Sequence, residues 1–194
     1  MEIKGEYRIA ASREKVFAAL NDVATLQACI PGCESLEKTS DTEMKAKVRL
    51  RIGPVSASFT GKVTLSDLDP PNGYKISGEG QGGAAGFAKG GAVVALREDG
   101  ADTILNYNVD AQVGGKIAQV GARLIDGTAR KLADEFFSKF TAMVGGPPPG
   151  EVAAPAAAPA AAPAASAAAQ RGYKHWIVIG VGAVVLVLVF LASR

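Results

Sequence analysis

The side chains able to do covalent or metal chemistry are few in this chain and poorly grouped for it. The only cysteines, Cys29 and Cys33, bracket Ile30-Pro31-Gly32, and the only histidine, His175, stands far downstream. A structural zinc takes four ligands, so this pair predicts no metal site. Two reduced thiols, buried or half-buried, are expected in a reducing compartment, with a regulatory disulfide as the alternative. Gly78-Glu79-Gly80-Gln81-Gly82-Gly83 spells GxGxxG, but it leads into more glycine and a strand, whereas a dinucleotide fingerprint opens a helix. Hydrolytic or acid–base chemistry needs nucleophile, base and orienting group side by side. Asp67, at a strand end, and the Tyr107 phenol are the nearest to such a set. The residue types therefore predict no catalytic constellation and no intrinsic cofactor.

What remains is apolar. From Trp176 to Ala192 the sequence is an unbroken apolar or small run of about 17 residues, which as a helix spans roughly 25 Å, the short end of what crosses a bilayer core. Arg171, Tyr173, Lys174, His175 and Trp176 precede it and Arg194 follows, a balance that keeps the N-terminal side in the cytoplasm. Residues 171–194 are thus predicted to be a juxtamembrane segment and a single-pass anchor in the inner (cytoplasmic) membrane, with Trp176, Ile177, Val181, Leu186 and Leu191 in the bilayer. No export signal opens at Met1-Glu2-Ile3-Lys4-Gly5. Residues 146–170 are almost wholly alanine and proline, with Pro155, Pro159 and Pro163 at regular spacing. Proline there interrupts every helix that alanine would start, so this is a linker whose roughly 24 residues reach about 70 Å when extended.

Residues 1–145 are left as one small domain. The whole chain of 194 residues carries a net charge of +2, which offers no footprint for nucleic acid. Glu2 to Ala10 reads as a strand, Ser12 as the N-cap of a short helix through Val16, Phe17 and Leu20, and Val23, Leu26 and Ile30 as a second helical turn stopped by Pro31-Gly32. Glu43 to Ile52 alternates Met44, Ala46, Val48, Leu50 and Ile52 with Lys45, Lys47, Arg49 and Arg51, the period of a strand with one face in water. Val55 to Asp67, Tyr74 to Gly78, Ala88 to Leu96 and Thr103 to Val113 continue an antiparallel sheet of six or seven strands. A helical period then runs from Lys116 to Val144, with Ile117, Val120, Leu124, Thr128, Leu132, Phe136 and Phe140 as its apolar stripe.

Strand, two short helices, antiparallel strands and a long C-terminal helix form the α+β order of the helix-grip folds, in which a curved sheet wraps the last helix around an apolar cavity. Strand parity and the helical stripe predict the lining as Leu20, Leu26, Ile30, Met44, Val48, Leu50, Phe59, Val63, Tyr74, Leu105, Tyr107, Val109, Leu124, Thr128, Leu132 and Phe136. Phe87, the one bulky residue of the glycine-rich stretch Gly78 to Gly91, is placed at the cavity's rim. A hairpin with bulged strand ends is the plainer reading of that stretch. Lys45, Lys47, Arg49, Arg51 and Lys62 form a basic outer surface, either solvated or facing anionic lipid or an acidic protein.

Several local runs carry a resemblance: Ile30-Pro31-Gly32-Cys33-Glu34-Ser35-Leu36, Arg51-Ile52-Gly53-Pro54, Asp69-Pro70-Pro71, Gly78-Glu79-Gly80, Gly86-Phe87-Ala88-Lys89-Gly90 and Val113-Gly114-Gly115-Lys116-Ile117-Ala118-Gln119. Kept in this order over residues 1–145, they resemble the CoxG family of carbon monoxide dehydrogenase subunits, a branch of the SRPBCC (START-like) helix-grip superfamily. The resemblance implies a non-catalytic bacterial accessory protein whose partner is a molybdenum-containing carbon monoxide dehydrogenase, and which associates that enzyme with the membrane. It carries over no catalytic residue, because the shared motifs are turns and strand junctions.

Joined to the anchor and the extensible linker, these readings predict a carrier. A respiratory quinone of the menaquinone or ubiquinone type is the expected cargo, taken from the bilayer and presented to the soluble enzyme. Two alternatives stand beside it: a recruitment adaptor that carries no ligand, and an SRPBCC enzyme acting on a small aromatic substrate.

Overall fold

A computed structural model describes residues 2–145. The linker and anchor expectations, including Trp176, Ile177, Val181, Leu186 and Leu191, lie outside the described residues. Among the described residues no helix is long and apolar enough to cross a membrane.

Alternation decides the sheet. In β3 (Glu43–Ile52) every second residue from Met44 to Ile52 is buried and every intervening cation is exposed. β3 pairs antiparallel with β4 (Val55–Asp69) across the two-residue turn Gly53-Pro54, with Val48 opposite Phe59 and Met44 opposite Val63. β5 (Gly73–Gln81), β6 (Phe87–Asp99) and β7 (Asp102–Gly114) follow as a meander, and β1 (Glu2–Ile9) pairs with β7 at one edge. A short strand that the sequence pattern did not single out, β2 (Cys33–Lys38), forms the other edge. The seven-stranded antiparallel order is β1-β7-β6-β5-β4-β3-β2.

Two short helices carry the chain from the first edge to the last. α1 (Arg13–Ala19) starts at Ser12, whose hydroxyl accepts from the Lys15 amide, and α2 (Val23–Cys29) starts at Asp22, whose carboxylate accepts from the Thr25 amide. Each cap satisfies one of the orphan amides of a helix start. Both helices lie at the end of the sheet where the β2–β3, β4–β5 and β6–β7 turns are found.

The C-terminal helix is shorter than its period predicts. Glycine at position 121, with φ 95°, ends a 3₁₀ turn at Ala118–Val120, and α3 runs from Ala122 to Val144, about 34 Å. Its first half is also turned by one residue, while Phe136 and Phe140 are buried as the stripe predicts. The buried positions are Ile125, Ala129, Ala133, Phe136, Phe137, Phe140 and Val144, while Leu124 is 43% exposed and Thr128 and Leu132 are partly exposed. The predicted stripe favoured large side chains. The actual one uses two alanines, because a helix approaches a sheet most closely along its smallest residues.

α3 crosses the inner face diagonally. Leu124 lies against Gly53 at the tip of the β3–β4 hairpin, Phe137 lies against β1 and β7, and Gly145 comes to rest beside Ala10. The core lies between this helix, α1, α2 and the inner face of the sheet.

Candidate functional site

The inner face is largely apolar from edge to edge. Of the predicted lining, Leu20, Leu26, Ile30, Met44, Val48, Leu50, Phe59, Val63, Tyr74, Leu105, Tyr107, Val109 and Phe136 are buried together in one core. Phe87 is placed differently. It begins β6 opposite Gly114, on the same outward parity as Lys89, and is 47% exposed with its ring lying over Gly114. The parity follows from the 3₁₀ turn Gly83–Ala85, which delivers the chain into β6 with Ala88 inward. Leu124 caps the hairpin tip from outside the core, and the Thr128 hydroxyl is spent on the Leu124 carbonyl at 2.8 Å. Ile125, Ala129, Ala133 and Phe137 take the places expected of Leu124, Thr128 and Leu132. Their spacing of four residues was a usable signal had alanine been counted as apolar.

Aromatic rings hold the second half of α3 to the sheet. Tyr7, Tyr107 and Phe137 stack, with Tyr7 and Phe137 centroids 4.0 Å apart and Tyr107 and Phe137 5.6 Å apart. The Tyr107 ring lies flat over Gly5, where a Cβ would strike it. Tyr7 Oη donates to Asp134 on α3 at 2.5 Å. Burial and that carboxylate both hold the Tyr7 phenol above its ordinary range. The first half of α3 is anchored far less. It buries one large side chain, Ile125, and two alanines, against three phenylalanines and a valine in the second half. At about 1.5–3 kcal/mol per large apolar side chain, this is about 2 against about 9 kcal/mol of burial.

On the inner face of the sheet one polar atom is left without a partner. Tyr74 opens β5 on that face, packs edge-on against Phe17 of α1 with centroids 5.7 Å apart, and has its hydroxyl buried with no hydrogen-bond partner. Burial pushes this phenol well above its ordinary pKa, so it is a neutral donor at any physiological pH. A buried hydroxyl without a partner costs about 1–3 kcal/mol.

Two open cavities lie on the outer face of the sheet. One, of about 660 Å³, sits over Gly78, Gly90 and Gly91 and is bordered by Lys62, Glu79, Lys89 and Asp110. The other, of about 530 Å³, lies over Val93 and Ala95 between Lys4, Glu6, Asn106 and Asn108. Neither is the apolar chamber expected between sheet and helix. The GxGxxG letters form the end of β5 and the 3₁₀ turn, with no helix start to face a pyrophosphate. Of the basic outer surface, Lys47 pairs with Glu34 at 2.9 Å and Lys62 with Glu43 at 2.6 Å.

Among the described residues no three metal-binding side chains converge. Cys29 and Cys33 are free thiols, and burial raises the pKa of both. The Cys29 thiol lies 3.4 Å from the Met143 sulfur.

Comparison with known proteins agrees with this architecture. A conserved protein from Geobacillus kaustophilus superposes with a TM-score of 0.70 at 32% identity, covering 74% of this chain and 95% of that one. The matched part is therefore nearly all of that chain. TTHA0849 from Thermus thermophilus superposes with a TM-score of 0.56 at 14% identity, over 74% of this chain and 97% of that one. The ZhuI aromatase/cyclase from Streptomyces sp. R1128 gives a TM-score of 0.53 at 11% identity, over 74% and 93% respectively. These two likenesses establish the helix-grip fold. No curated protein matches the chain. Residues 5–145 match the family of carbon monoxide dehydrogenase subunits called CoxG. With most of its length matched in this way, the chain belongs to the CoxG family of carbon monoxide dehydrogenase subunits.

Proposed function

We propose that this protein is a non-catalytic carrier that takes a respiratory quinone between the sheet and α3 and presents it to a molybdenum-containing carbon monoxide dehydrogenase. The observation that carries the reading is the inner face itself, apolar but for the Tyr7, Tyr107 and Thr103 hydroxyls and the buried Tyr74 hydroxyl, which has no partner. A quinone matches that pattern, since its carbonyl oxygens accept hydrogen bonds and its isoprenoid tail is hydrocarbon. Burying a tail at roughly 0.8 kcal/mol per methylene-sized group readily reaches micromolar affinity after ordering costs.

The cargo enters by displacing the start of α3. That half of the helix is held by Ile125 and two alanines and is joined to the 3₁₀ turn through Gly121 at positive φ, so it lifts at lower cost than the aromatic half. The tail would replace the contacts that the helix gives up. Residues 146–170 and 171–194 serve in this reading as the leash and membrane anchor that keep the carrier close to its cargo, which raises its local concentration there.

Organic extraction and mass spectrometry of purified residues 1–145 tests the carrier reading directly. A bound quinone, or saturable uptake of added menaquinone by the empty domain, is the expected result. An empty extract together with no uptake overturns it. The second reading, an adaptor that recruits the enzyme and carries nothing, is favoured by the burial of the predicted lining residues together in one core. It predicts that the domain binds the enzyme equally well with and without quinone.

A further inference from the structure

The two ends of this sheet differ in charge. At the end where α1 and α2 lie, the turns carry Asp41, Asp67, Asp69, Asp99 and Asp102. Most of these are engaged: Asp41 with Lys38, Asp67 with Lys75, and Asp99 and Asp102 with Arg8. At the other end the three connections are Gly53-Pro54, Gly82–Gly86 and Gly115–Gly121, and none of them contains a carboxylate. The cations around them, Arg51, Lys116 and Arg123, are exposed and have no ion-pair partner among the described residues. The carboxylates nearest this end are Glu79, two residues from the end of β5 and paired in register with Lys89, Glu2 and its strand neighbour Asp110, of which Glu2 is already bonded to Lys4 and Asn108, and Asp126 on the second turn of α3.

These connections form one continuous rim. The Ile117 amide donates to the Ala85 carbonyl at 3.0 Å, joining the last connection to the second, and Leu124 lies on Gly53, joining α3 to the first. Two of the large apolar side chains most exposed on the domain, Phe87 and Leu124, stand on this rim. Neither belongs to the buried core. Gly145, where the chain leaves the domain, lies at the opposite end beside Ala10.

We propose that this rim docks on an anionic lipid surface, with Arg51, Lys116 and Arg123 over the headgroups and Leu124 and Phe87 inserted between them. The choice of occupant rests on charge: an unpaired cationic rim free of carboxylates in its loops, with exposed apolar residues at its centre, complements a negatively charged interface. At the opposite end most carboxylates are paired with Lys38, Lys75 and Arg8, so the unpaired cations of the rim orient the domain as well as attract it. This deepens the carrier reading, because the rim contains Gly121 and the start of α3, the segment through which cargo passes.

Quinone-free vesicles separate the two ideas. Residues 1–145, the part of this chain whose match makes up 95% of the Geobacillus relative, are sedimented with vesicles of phosphatidylcholine alone or mixed with phosphatidylglycerol. Binding is expected only with the anionic lipid and weakens as salt rises. Each lost rim cation should lower affinity about fivefold, and R51Q/K116Q/R123Q about a hundredfold. The matched variant K15Q/R97Q/K139Q, with its charges removed elsewhere, should bind like the parent. Equal weakening by the two triple variants, or no preference for anionic vesicles, overturns the proposal. Circular dichroism melts check that each variant is folded. Docking without quinone uptake would leave the rim assignment standing and remove the carrier reading.

Discussion

Replacing Tyr74 by phenylalanine should move stability and binding in opposite directions. The hydroxyl is buried and unpartnered, while the ring is packed on Phe17 at 5.7 Å and stays in place in the variant. Removing a buried unsatisfied hydroxyl returns about 1–3 kcal/mol to the folded state. For a domain of this size that is a rise in melting temperature of about 3–9 °C for the ligand-free residues 1–145. A bound quinone carbonyl would lose its donor and be left buried without a partner, which costs about 1–3 kcal/mol of binding, or about fivefold to a hundredfold in Kd. The assay is a thermal melt without ligand, paired with a titration of added menaquinone into parent and variant. An unchanged or lower melting temperature refutes the premise that the hydroxyl is unsatisfied in the free protein. A raised melting temperature with unchanged Kd refutes its role as the headgroup donor. A stabilising change that weakens binding is the trade-off expected of a site that holds an unsatisfied group for its ligand.

Other consequences are simpler. Enlarging Ala133, buried against the sheet, to phenylalanine should destabilise the domain by about 1–3 kcal/mol in a denaturant melt, whereas L124S at the exposed rim should stay within about 0.5 kcal/mol. Gly5→Val should force the Tyr107 ring off β1 and break the Tyr7–Tyr107–Phe137 stack, seen as lost near-ultraviolet circular dichroism together with lower stability. Cys29 and Cys33 should alkylate more slowly than a free thiol at pH 8 and at the free rate once denatured, because burial raises both from the ordinary value of 9.0. The sign of the linkage follows from that shift. A raised thiol pKa adds stability that is complete below the unfolded pKa and is lost as pH climbs through the folded one, so the domain should weaken above about pH 9.

How much was legible in the sequence differs from element to element. β3 could be read almost to the residue, because its alternation of apolar residues with lysine and arginine has only one face to bury. Ser12 as a cap and the turn at Gly53-Pro54 were equally local, since each depends on a few neighbouring atoms. α3 was legible as a helix but not in its rotation. In its first half the stripe and the predicted one lie one residue apart, and only the facing sheet distinguishes a small residue that permits close approach from a large one left outside. β2 has a weak pattern and exists because β3 offers it an edge.

The sequence by itself therefore determined the strand faces, the caps and the turns, all of which depend on residues close together along the chain. Tertiary structure alone decided that Phe87 points outward, that Tyr74 buries a hydroxyl with nothing to bond, and that the carboxylate-free connections gather at one end. Each of these depends on what the partner strand or helix brings to the same place. A period of two or of 3.6 specifies a face; it does not specify what that face will meet.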